Sequence, residues 1–338
     1  MSERSVRLKY LLHRARNIRP GNLVEFAKQV QRVSKAPLPV IIADMLWCSV
    51  RYDMGFRDYA VWDIRLLKAR ERKTWMTHPK SHRLTKLYND PASYHRFEDK
   101  ITFYGEFADV IRREWIDART ATDAEVADFV ARHGRVVAKP AAGEGGAGIS
   151  VYTTDDVTDA AAFRARLIAA DQTLVEQALE QHEAMAALYP DSVNTLRMIT
   201  FYDPDADRMH LVAAVLRIGN GAAIDNFASG GMFTLLDERG VVLYPGVDKN
   251  SNVYATHPKT GTPIQGFQVP RYEEALALLE DVVRRIPEIR YVGWDIAMTP
   301  DGPAVIEGNH NSSVFQPKPS ASGVRTGLLP VYKAAFGF

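Results

Sequence analysis

The sequence predicts an α+β protein in which a largely helical N-terminal region precedes two parts that mix strands with helices. Helical hydrophobic patterns dominate up to about residue 100, with breaks near Pro37-Leu-Pro39 and Thr77-His-Pro79. From about residue 120, helix signals alternate with short segments in which apolar residues alternate as in a strand. We therefore predict a largely helical region over residues 1–100, followed by parts that mix strands with helices.

Each element after residue 120 has a recognisable start, end or periodicity. Thr122-Asp-Ala-Glu125 has the pattern of a capped helix start, and Gly134 ends that helix. The apolar patterns predict further helices at 159–170 and 272–285. They predict strands on both sides of residues 143–148 and at 173–177, 193–202, 209–218 and 231–237.

A glycine-rich loop lies between two of these strands. Gly143, Gly145 and Gly148 fit the pattern G-x-G-x-x-G. The loop leads into the strand-like Ile149-Ser-Val-Tyr-Thr153, whereas a dinucleotide-binding loop opens a helix. The Walker pattern fails as well, and Lys139 precedes the loop, the reverse of the order in protein kinases. The loop is either a phosphate-binding flap or a mobile surface turn.

A carboxylate hairpin is predicted near the C-terminus. Thr299-Pro-Asp-Gly302 is a turn signal between two apolar runs. A three-residue loop with its glycine in the left-handed conformation would pair Thr299 with Pro303 and place Asp295 opposite Glu307. Strand alternation places Glu307 and Asn309 on one face. These oxygen ligands suit magnesium bridged to phosphates, and the alternative is a solvated polar face.

Composition bounds the class of protein. The net charge of +1 gives no case for nucleic acid, and there is no apolar run of about 20 residues to span a membrane. Cys48, the single cysteine, lies in an apolar run and is interpreted as a core residue. Residues 1–20 are basic and could dock on an anionic membrane surface, although a solvated helix is the favoured interpretation. We expect a cytoplasmic protein; the sequence does not indicate its oligomeric state.

Taken in order, these motifs resemble the ATP-grasp superfamily, and within it the sugar-transfer-associated branch. The resemblance covers about residues 100 to 309 and implies that residues 101–185 form the lid subdomain and 186–338 the subdomain with the metal hairpin. The motifs that carry it are Asp99-Lys100, Val137-Ala-Lys139-Pro, Gly143 to Gly148, Val175-Glu176-Gln177, Val193 to Arg197, Asn226 to Gly231, Gly293-Trp-Asp295 and Ile306-Glu307-Gly-Asn309.

The resemblance also implies roles for individual residues. The cofactors would be ATP and Mg²⁺, with Asp295, Glu307 and Asn309 holding the metal. Arg197 would neutralise charge at the reacting centre, with Arg217 as a second candidate. The expected ATP contacts are Lys100 and Lys139 to the phosphates, the loop residues Gly143, Glu144, Gly145, Gly146 and Gly148, Glu176 with the hinge residues Gln177, Ala178 and Leu179 to the adenine edge, and Glu183 to the ribose. The expected acceptor contacts are Ser229, Gly230, Gly231, Asn311, Ser312 and Ser313.

The activity implied by the resemblance is ATP-dependent ligation. A carboxylate would be phosphorylated by ATP and the acylphosphate attacked by an amine, so the expected partners are small-molecule carboxylates and amines. The branch suggests a role in cell-surface polysaccharide or secondary-metabolite biosynthesis. A small-molecule kinase on the same scaffold is the first alternative, and a nucleotide-binding protein without turnover is the second.

Overall fold

The computed structural model describes residues 20–143, 148–221, 225 and 230–338. The predicted basic segment 1–20 therefore lies outside the described residues, apart from the backbone of its last one. The helices in chain order are α1 (Pro20–Ser34), α2 (Leu38–Arg51), α3 (Phe56–Val61), α4 (Ala69–Arg72), α5 (His78–Tyr88), α6 (His95–Glu98), α7 (Lys100–Glu106), α8 (Ala108–Ile111), α9 (Asp123–His133), α10 (Ala160–Ala169), α11 (Glu183–Leu188), α12 (Tyr272–Arg284), α13 (Pro319–Ser322) and α14 (Leu329–Phe336).

Two sheets contain all the named strands. The four-stranded sheet has the order β1-β4-β2-β3, and the seven-stranded sheet has the order β11-β10-β5-β6-β7-β8-β9. The strands are β1 (Trp115–Asp117), β2 (Arg135–Lys139), β3 (Ser150–Thr153), β4 (Leu174–Gln177), β5 (Thr195–Asp203), β6 (Arg208–Ile218), β7 (Met232–Leu235), β8 (Gly246–Asp248), β9 (Val253–Tyr254), β10 (Tyr291–Thr299) and β11 (Gly302–Asn309). The predicted α+β class is confirmed.

By packing, the chain divides into two compact units. The helical unit comprises residues 1–84, 250–253 and 313–338, and the sheet unit comprises residues 85–249 and 254–312. The predicted boundaries at residues 100 and 185 both fall inside the sheet unit. They remain a prediction about subdomains within that unit.

The helical unit is built on α1 and α2, which pack on α3. Its core includes Met45, Tyr59 and Trp75, which are fully buried. Cys48 is buried as predicted, and burial raises the pKa of its thiol to about 12. Such a thiol is a poor nucleophile at neutral pH, which agrees with a core role.

No single helix within the described residues is long and apolar enough to cross a membrane. The helices α1 and α2 pass that test of length and composition as a pair, but they are bent by 112° at the break between them.

The four-stranded sheet of the sheet unit is covered by α9 and α10. Phe129 of α9 and Phe163 of α10 share an apolar cluster with Val136 and Val175 of the sheet. The predicted start of α9 is confirmed, since Thr122 and Glu125 form a reciprocal capping box. Gly134 ends the helix at a positive φ of 68°. The strands that flank the glycine loop also pair as predicted.

The carboxylate hairpin reaches the predicted register by a different route. Thr299 pairs with Gly302, and not with Pro303 as the turn geometry predicted. A bulge at Ile306 then inserts one extra residue, so that Asp295 still lies opposite Glu307. The sequence carries no signal for this bulge. The turn is one residue tighter than predicted and the bulge adds one residue, so the two differences cancel.

A glycine in the hairpin allows the neighbouring helix to approach. A Cβ on Gly308 would lie 2.0 Å from Cε1 of Phe97, the aromatic residue of α6. Phe97 also packs against Trp294, the residue opposite Gly308 on β10. The stretch Glu307-Gly-Asn309 is thus fixed on one side by an aromatic cluster that contacts its central residue.

Candidate functional site

The buried side chains of Lys139, on β2, and Glu176, on β4, form an ion pair. The Nζ atom of Lys139 lies 2.7 Å from Oε1 of Glu176 and donates a second hydrogen bond of 2.8 Å to the hydroxyl of Tyr104. Oε2 of Glu176 accepts from Nε of Arg113 at 2.8 Å and from the Tyr104 hydroxyl at 2.6 Å. We call these four residues the Glu176 cluster.

The Glu176 cluster keeps its carboxylate ionised in spite of burial. Burial raises the pKa of Glu176, but the charges of Arg113 and Lys139 outweigh that effect and hold the pKa at about 2. Burial also lowers the pKa of Lys139, and Glu176 opposes that shift. The side chain of Glu176 is therefore an internal counter-ion for two cations. Its predicted role of reading an adenine edge stays untested.

Lys100 lies at the start of the glycine loop. Its Nζ donates to the carbonyl of Gly143 at 2.7 Å, and its backbone amide donates to the carbonyl of Ala141 at 2.8 Å. Burial lowers the pKa of Lys100, and the neighbouring charge of Lys139 lowers it further. The two lysines that were predicted to bind phosphates therefore lie close enough to repel each other.

Asp295 is held by two arginines on neighbouring strands. Arg197 donates Nε to Oδ1 at 2.5 Å and Nη2 to Oδ2 at 2.7 Å. Arg217 donates Nη1 to Oδ2 of Asp295 at 3.0 Å and Nη2 to Asp225 at 2.9 Å. Asp225 is held in turn by the backbone amide of Thr195 at 2.9 Å and by its hydroxyl. We call these five residues the Asp295 cluster.

The pKa values of the two carboxylates in the Asp295 cluster are shifted in opposite directions. Burial raises the pKa of Asp295, but Arg197 and Arg217 together bring it down to about 2. Burial dominates for Asp225 and raises its pKa, with Arg217 opposing. Two strong cations and one firmly ionised acid are thus fixed on β5, β6 and β10.

Among the described residues, Glu307 is the carboxylate of the site without an ion pair. Its one hydrogen bond from the described residues comes from Nδ2 of Asn309, at 3.3 Å from Oε1. Burial raises the pKa of Glu307, and the charge of Asp295 opposite raises it further. Arg197 and Lys100 attract it only through space. Added positive charge beside this carboxylate would relieve an unfavourable arrangement.

This donor set fits magnesium at Glu307 and Asn309. Both offer hard oxygen atoms on one face of β11, and magnesium takes its remaining ligands from water and phosphates. Among the described residues, no group of three or more His, Cys, Asp or Glu side chains is arranged to hold a metal ion. Both oxygens of Asp295 already accept from guanidinium groups. The case for the metal therefore depends on Glu307 and Asn309, and the metal role of Asp295 stays a prediction.

The Glu176 and Asp295 clusters belong to one site within the sheet unit. Glu307 acts electrostatically on Lys139 of the Glu176 cluster, on Arg217 of the Asp295 cluster and on Lys100 beside them. Five cationic side chains and four carboxylates converge there. They are Lys100, Arg113, Lys139, Arg197 and Arg217, and Glu176, Asp225, Asp295 and Glu307.

The predicted hinge after β4 uses most of its amides internally. The amide of Gln177 donates to the carbonyl of Glu114 at 2.9 Å, and that of Ala178 donates to the carbonyl of Arg135 at 3.3 Å. In the described chain, the amide of Leu179 forms no such bond. Leu179 is thus the hinge residue whose N–H has no hydrogen-bond partner among the described residues.

Other predicted residues are placed less decisively. Glu183 is exposed in the first turn of α11, where a ribose contact remains a prediction. Gly143 and Gly148 have positive φ angles, and Gly230 and Gly231 lead into β7. Asn311 is exposed and Ser312 is buried, while Ser313 belongs to the helical unit. Glu144, Gly145, Gly146 and Ser229 lie outside the described residues.

Sequence reasoning missed three residues of the site. Tyr104 and Arg113 complete the Glu176 cluster, and Asp225 anchors Arg217. Tyr104 lies in a short helix, and Arg113 follows another in a loop. Neither carries a motif. Asp225 lies between the apolar strand that carries Arg217 and the glycine turn at Gly230 and Gly231. This position in the sequence was the one signal that could have identified it as a site residue.

One family model matches the sequence, that of sugar-transfer associated ATP-grasp, over residues 79–326. The chain belongs to the sugar-transfer associated ATP-grasp family. No curated protein matches the sequence.

The chain also resembles solved structures of ligases. The ATP-grasp ligase PsnB, complexed with a minimal precursor, is 17% identical, with a TM-score of 0.44 over 84% of this chain and 76% of that one. D-cycloserine synthetase DcsG is 15% identical, with a TM-score of 0.41 over 76% and 77%. D-alanyl-alanine synthetase A from Vibrio cholerae O1 biovar eltor is 12% identical, with a TM-score of 0.40 over 65% and 57%. Because these TM-scores are below 0.5, the family match carries the identification.

Proposed function

We propose that this protein is an ATP- and magnesium-dependent carboxylate-amine ligase that forms an amide through an acylphosphate. The observation that carries the proposal is that four cationic side chains, Lys100, Lys139, Arg197 and Arg217, act on one carboxylate, Glu307, that has no ion pair among the described residues. A polyphosphate with magnesium supplies the charges that this arrangement lacks. Family membership supports the same reading.

The cationic side chains keep hydrogen-bond donors for a phosphate. The ammonium of Lys139 has three N–H donors, and Glu176 and Tyr104 accept two of them. Arg197 uses Nε and Nη2 for Asp295, so its Nη1 group is open within the described residues. We infer that Lys139 binds the phosphates next to the nucleoside. Arg197, oriented by Asp295, then meets the transferred phosphoryl group.

Magnesium would be held by Glu307 and Asn309. When bound, it would supply positive charge to the phosphate oxygens at the point of transfer. The amide of Leu179 would donate to the adenine, and the loop that Lys100 anchors at Gly143 would cover the phosphates. Excluding water protects an acylphosphate from hydrolysis.

The proposed reaction has two steps. A carboxylate oxygen of the substrate attacks the γ-phosphorus of ATP, the bond to the β–γ bridging oxygen breaks, and ADP leaves. An amine then attacks the acyl carbon, phosphate leaves with the former carboxylate oxygen, and the amine nitrogen loses its proton. Arg197 and Lys100 stabilise negative charge on the oxygens of the transferred group in both steps.

The direct test is release of ADP in the presence of pooled carboxylates and pooled amines, followed by mass spectrometry of the products. A ligase gives an amide and free phosphate only when both pools are present. A stable phosphoester would instead establish the alternative, a small-molecule kinase. Binding of ATP without turnover in any pool would identify a nucleotide-binding protein.

The role in a pathway is also a proposal. The name of the family links it with sugar transfer, which supports cell-surface polysaccharide or secondary-metabolite biosynthesis. Identification of the amide product would test this directly, because a product without a sugar or polysaccharide precursor would argue for a secondary metabolite.

A further inference from the structure

The two compact units carry opposite net charges. The residues of the helical unit include 21 Lys and Arg against 7 Asp and Glu, and those of the sheet unit include 21 against 34. The net charge of +1 for the whole chain therefore conceals about +14 on one unit and about −13 on the other. Charge asymmetry of this size between parts of one chain points to an anionic partner for the basic part.

Most acidic residues of the helical unit form ion pairs within that unit. Four of them form ion pairs with basic residues of the same unit: Asp44 with Arg72, Asp53 with Arg83, Asp63 with Lys318 and Glu71 with Arg325. Exposed basic residues on α1, on α2 and in the segments that follow form no ion pair within the described chain. They include Lys28, Arg32, Lys35, Arg51, Arg57 and Lys68.

The same unit exposes an apolar helix face. Trp47 is 60% exposed, Val50 55%, Val40 44% and Leu46 41%. All four lie on α2, and the helical period places them on one side, opposite the buried Ile41, Met45 and Cys48. We call these four residues the outer face of α2. A contiguous group of exposed apolar side chains that includes a tryptophan marks an interaction surface.

The one acid of α2 is turned away from this face. Asp44 accepts from both terminal nitrogens of Arg72, at 2.7 and 2.9 Å, and from the hydroxyl of Tyr59 at 2.6 Å. Burial raises the pKa of Asp44, but these hydrogen bonds outweigh it and lower the pKa. Its negative charge is thus neutralised internally. Arg51, the other charged residue of the helix, lies one turn after Trp47 on the outer face.

We propose that the outer face of α2 docks this protein on an anionic lipid bilayer. A bilayer offers both an anionic surface for the basic residues and an apolar layer for Trp47 and its neighbours. A nucleic acid would satisfy the charge and leave the apolar face exposed. The inference is independent of the proposed ligase function.

The geometry fits a helix that lies in the interface. A span needs about 20 apolar residues, whereas α2 has 14 residues. It is bent by 112° from α1, so the pair cannot form one straight span. Lying parallel to the surface, α2 would place Trp47 at the level of the headgroups, with Lys35 and Arg51 near its two ends.

Sedimentation of the full-length chain with vesicles tests the proposal. We expect at least about tenfold stronger partition into vesicles of phosphatidylcholine with phosphatidylglycerol than into phosphatidylcholine alone, and weaker partition at high salt. Leu46→Ser with Trp47→Ser should lower partition by at least about tenfold. Lys35→Glu with Arg51→Glu should lower it similarly.

Matched controls are available elsewhere on the surface. Leu87 is 74% exposed in the sheet unit, and Arg239 is also exposed there. Leu87→Ser and Arg239→Glu should leave partition unchanged, and thermal melts should show that all variants fold.

Three results would overturn the proposal. The first is equal partition into both kinds of vesicle. The second is duplex DNA binding that is insensitive to Trp47→Ser, in a protein that does not partition into vesicles. The third is dimerisation that Trp47→Ser abolishes without any vesicle binding.

Discussion

Arg197 and Asp295 lie directly opposite each other on adjacent strands, and the guanidinium donates two hydrogen bonds to the carboxylate. From sequence, the two residues were assigned separate roles, one catalytic and one in metal binding. The structure makes them partners, and Arg217 donates a third hydrogen bond to the same carboxylate. We infer that Asp295 orients two arginines toward the reacting centre, while Glu307 and Asn309 carry the case for magnesium.

Arg197→Lys should lower turnover by about a hundredfold and change the dissociation constant of ATP far less. A lysine cannot reproduce the planar fork that binds Asp295 and still presents a donor to a phosphoryl group. Both quantities are measured on one variant, by ADP release and by calorimetry. If the ATP affinity falls in step with turnover, Arg197 acts in the ground state, and Arg217 becomes the better candidate.

Glu176→Gln should destabilise the protein by about 3–5 kcal/mol, because it leaves Lys139 and Arg113 buried without their counter-ion. Tyr104→Phe is the milder comparison, expected to cost about 1–3 kcal/mol. Urea unfolding followed by circular dichroism measures both. Equal stabilities for Glu176→Gln and the unsubstituted protein would show that the cluster is not needed as a counter-ion pair.

The stability difference between Glu176→Gln and the unsubstituted protein should depend on pH. The pKa of Glu176 falls from an ordinary 4.5 to about 2 on folding. A lowered carboxyl pKa stabilises the folded state above pH 4.5, and that contribution is lost as the pH falls toward about 2. The difference in unfolding free energy between the two proteins should therefore shrink over this window. A difference that stays constant would contradict the assignment.

Glu307→Gln should stabilise the ligand-free protein, by on the order of 1 kcal/mol, although it removes a proposed metal ligand. Burial and the charge of Asp295 raise the pKa of Glu307, so its ionised form is unfavourable at neutral pH. The gain should be present near pH 7 and disappear as the pH falls and Glu307 becomes protonated. Thermal melts without nucleotide give the result, and a lower Tm at pH 7 would show that Lys100 and Arg197 already balance this charge.

Gly308→Ala should cost about 1–3 kcal/mol, because the added methyl would press on the ring of Phe97. Gly105→Ala is the matched control. It lies in α7 with nothing within 4 Å of the new Cβ, so alanine should be neutral or stabilising there. Unfolding of both variants under one set of conditions makes the comparison. Equal effects would show that Phe97 can move aside.

The elements of the sheet unit that the sequence predicted correctly have local signals. The capping box at Thr122, the strands beside the glycine loop and the apolar runs of β5, β6 and β10 depend on neighbours in sequence. The bulge at Ile306 was not predictable, because bulges depend on how the sheet closes around its core. The extension of the helical unit to residues 313–338 depends on contacts between distant segments.

The sequence also could not predict which charged residues of the site form ion pairs with one another. Tyr104, in a helix, and Arg113, in a loop, reach Glu176 from positions that precede it by more than 60 residues. The carboxylates of Glu176 and Asp295 matched motif positions, but a motif does not show which cations neutralise them. Whole-chain charge concealed the basic helical unit for a related reason, since only the packing shows which residues belong together.

Calorimetric titration of ATP with and without magnesium tests whether Glu307 holds the metal that ATP binding requires. We expect binding that requires magnesium in the unsubstituted protein and falls by at least about tenfold in Glu307→Ala. Glu238→Ala, at a carboxylate outside the site, should bind as tightly as the unsubstituted protein. Binding of ATP that is independent of magnesium and unaffected by Glu307→Ala would contradict the site described here.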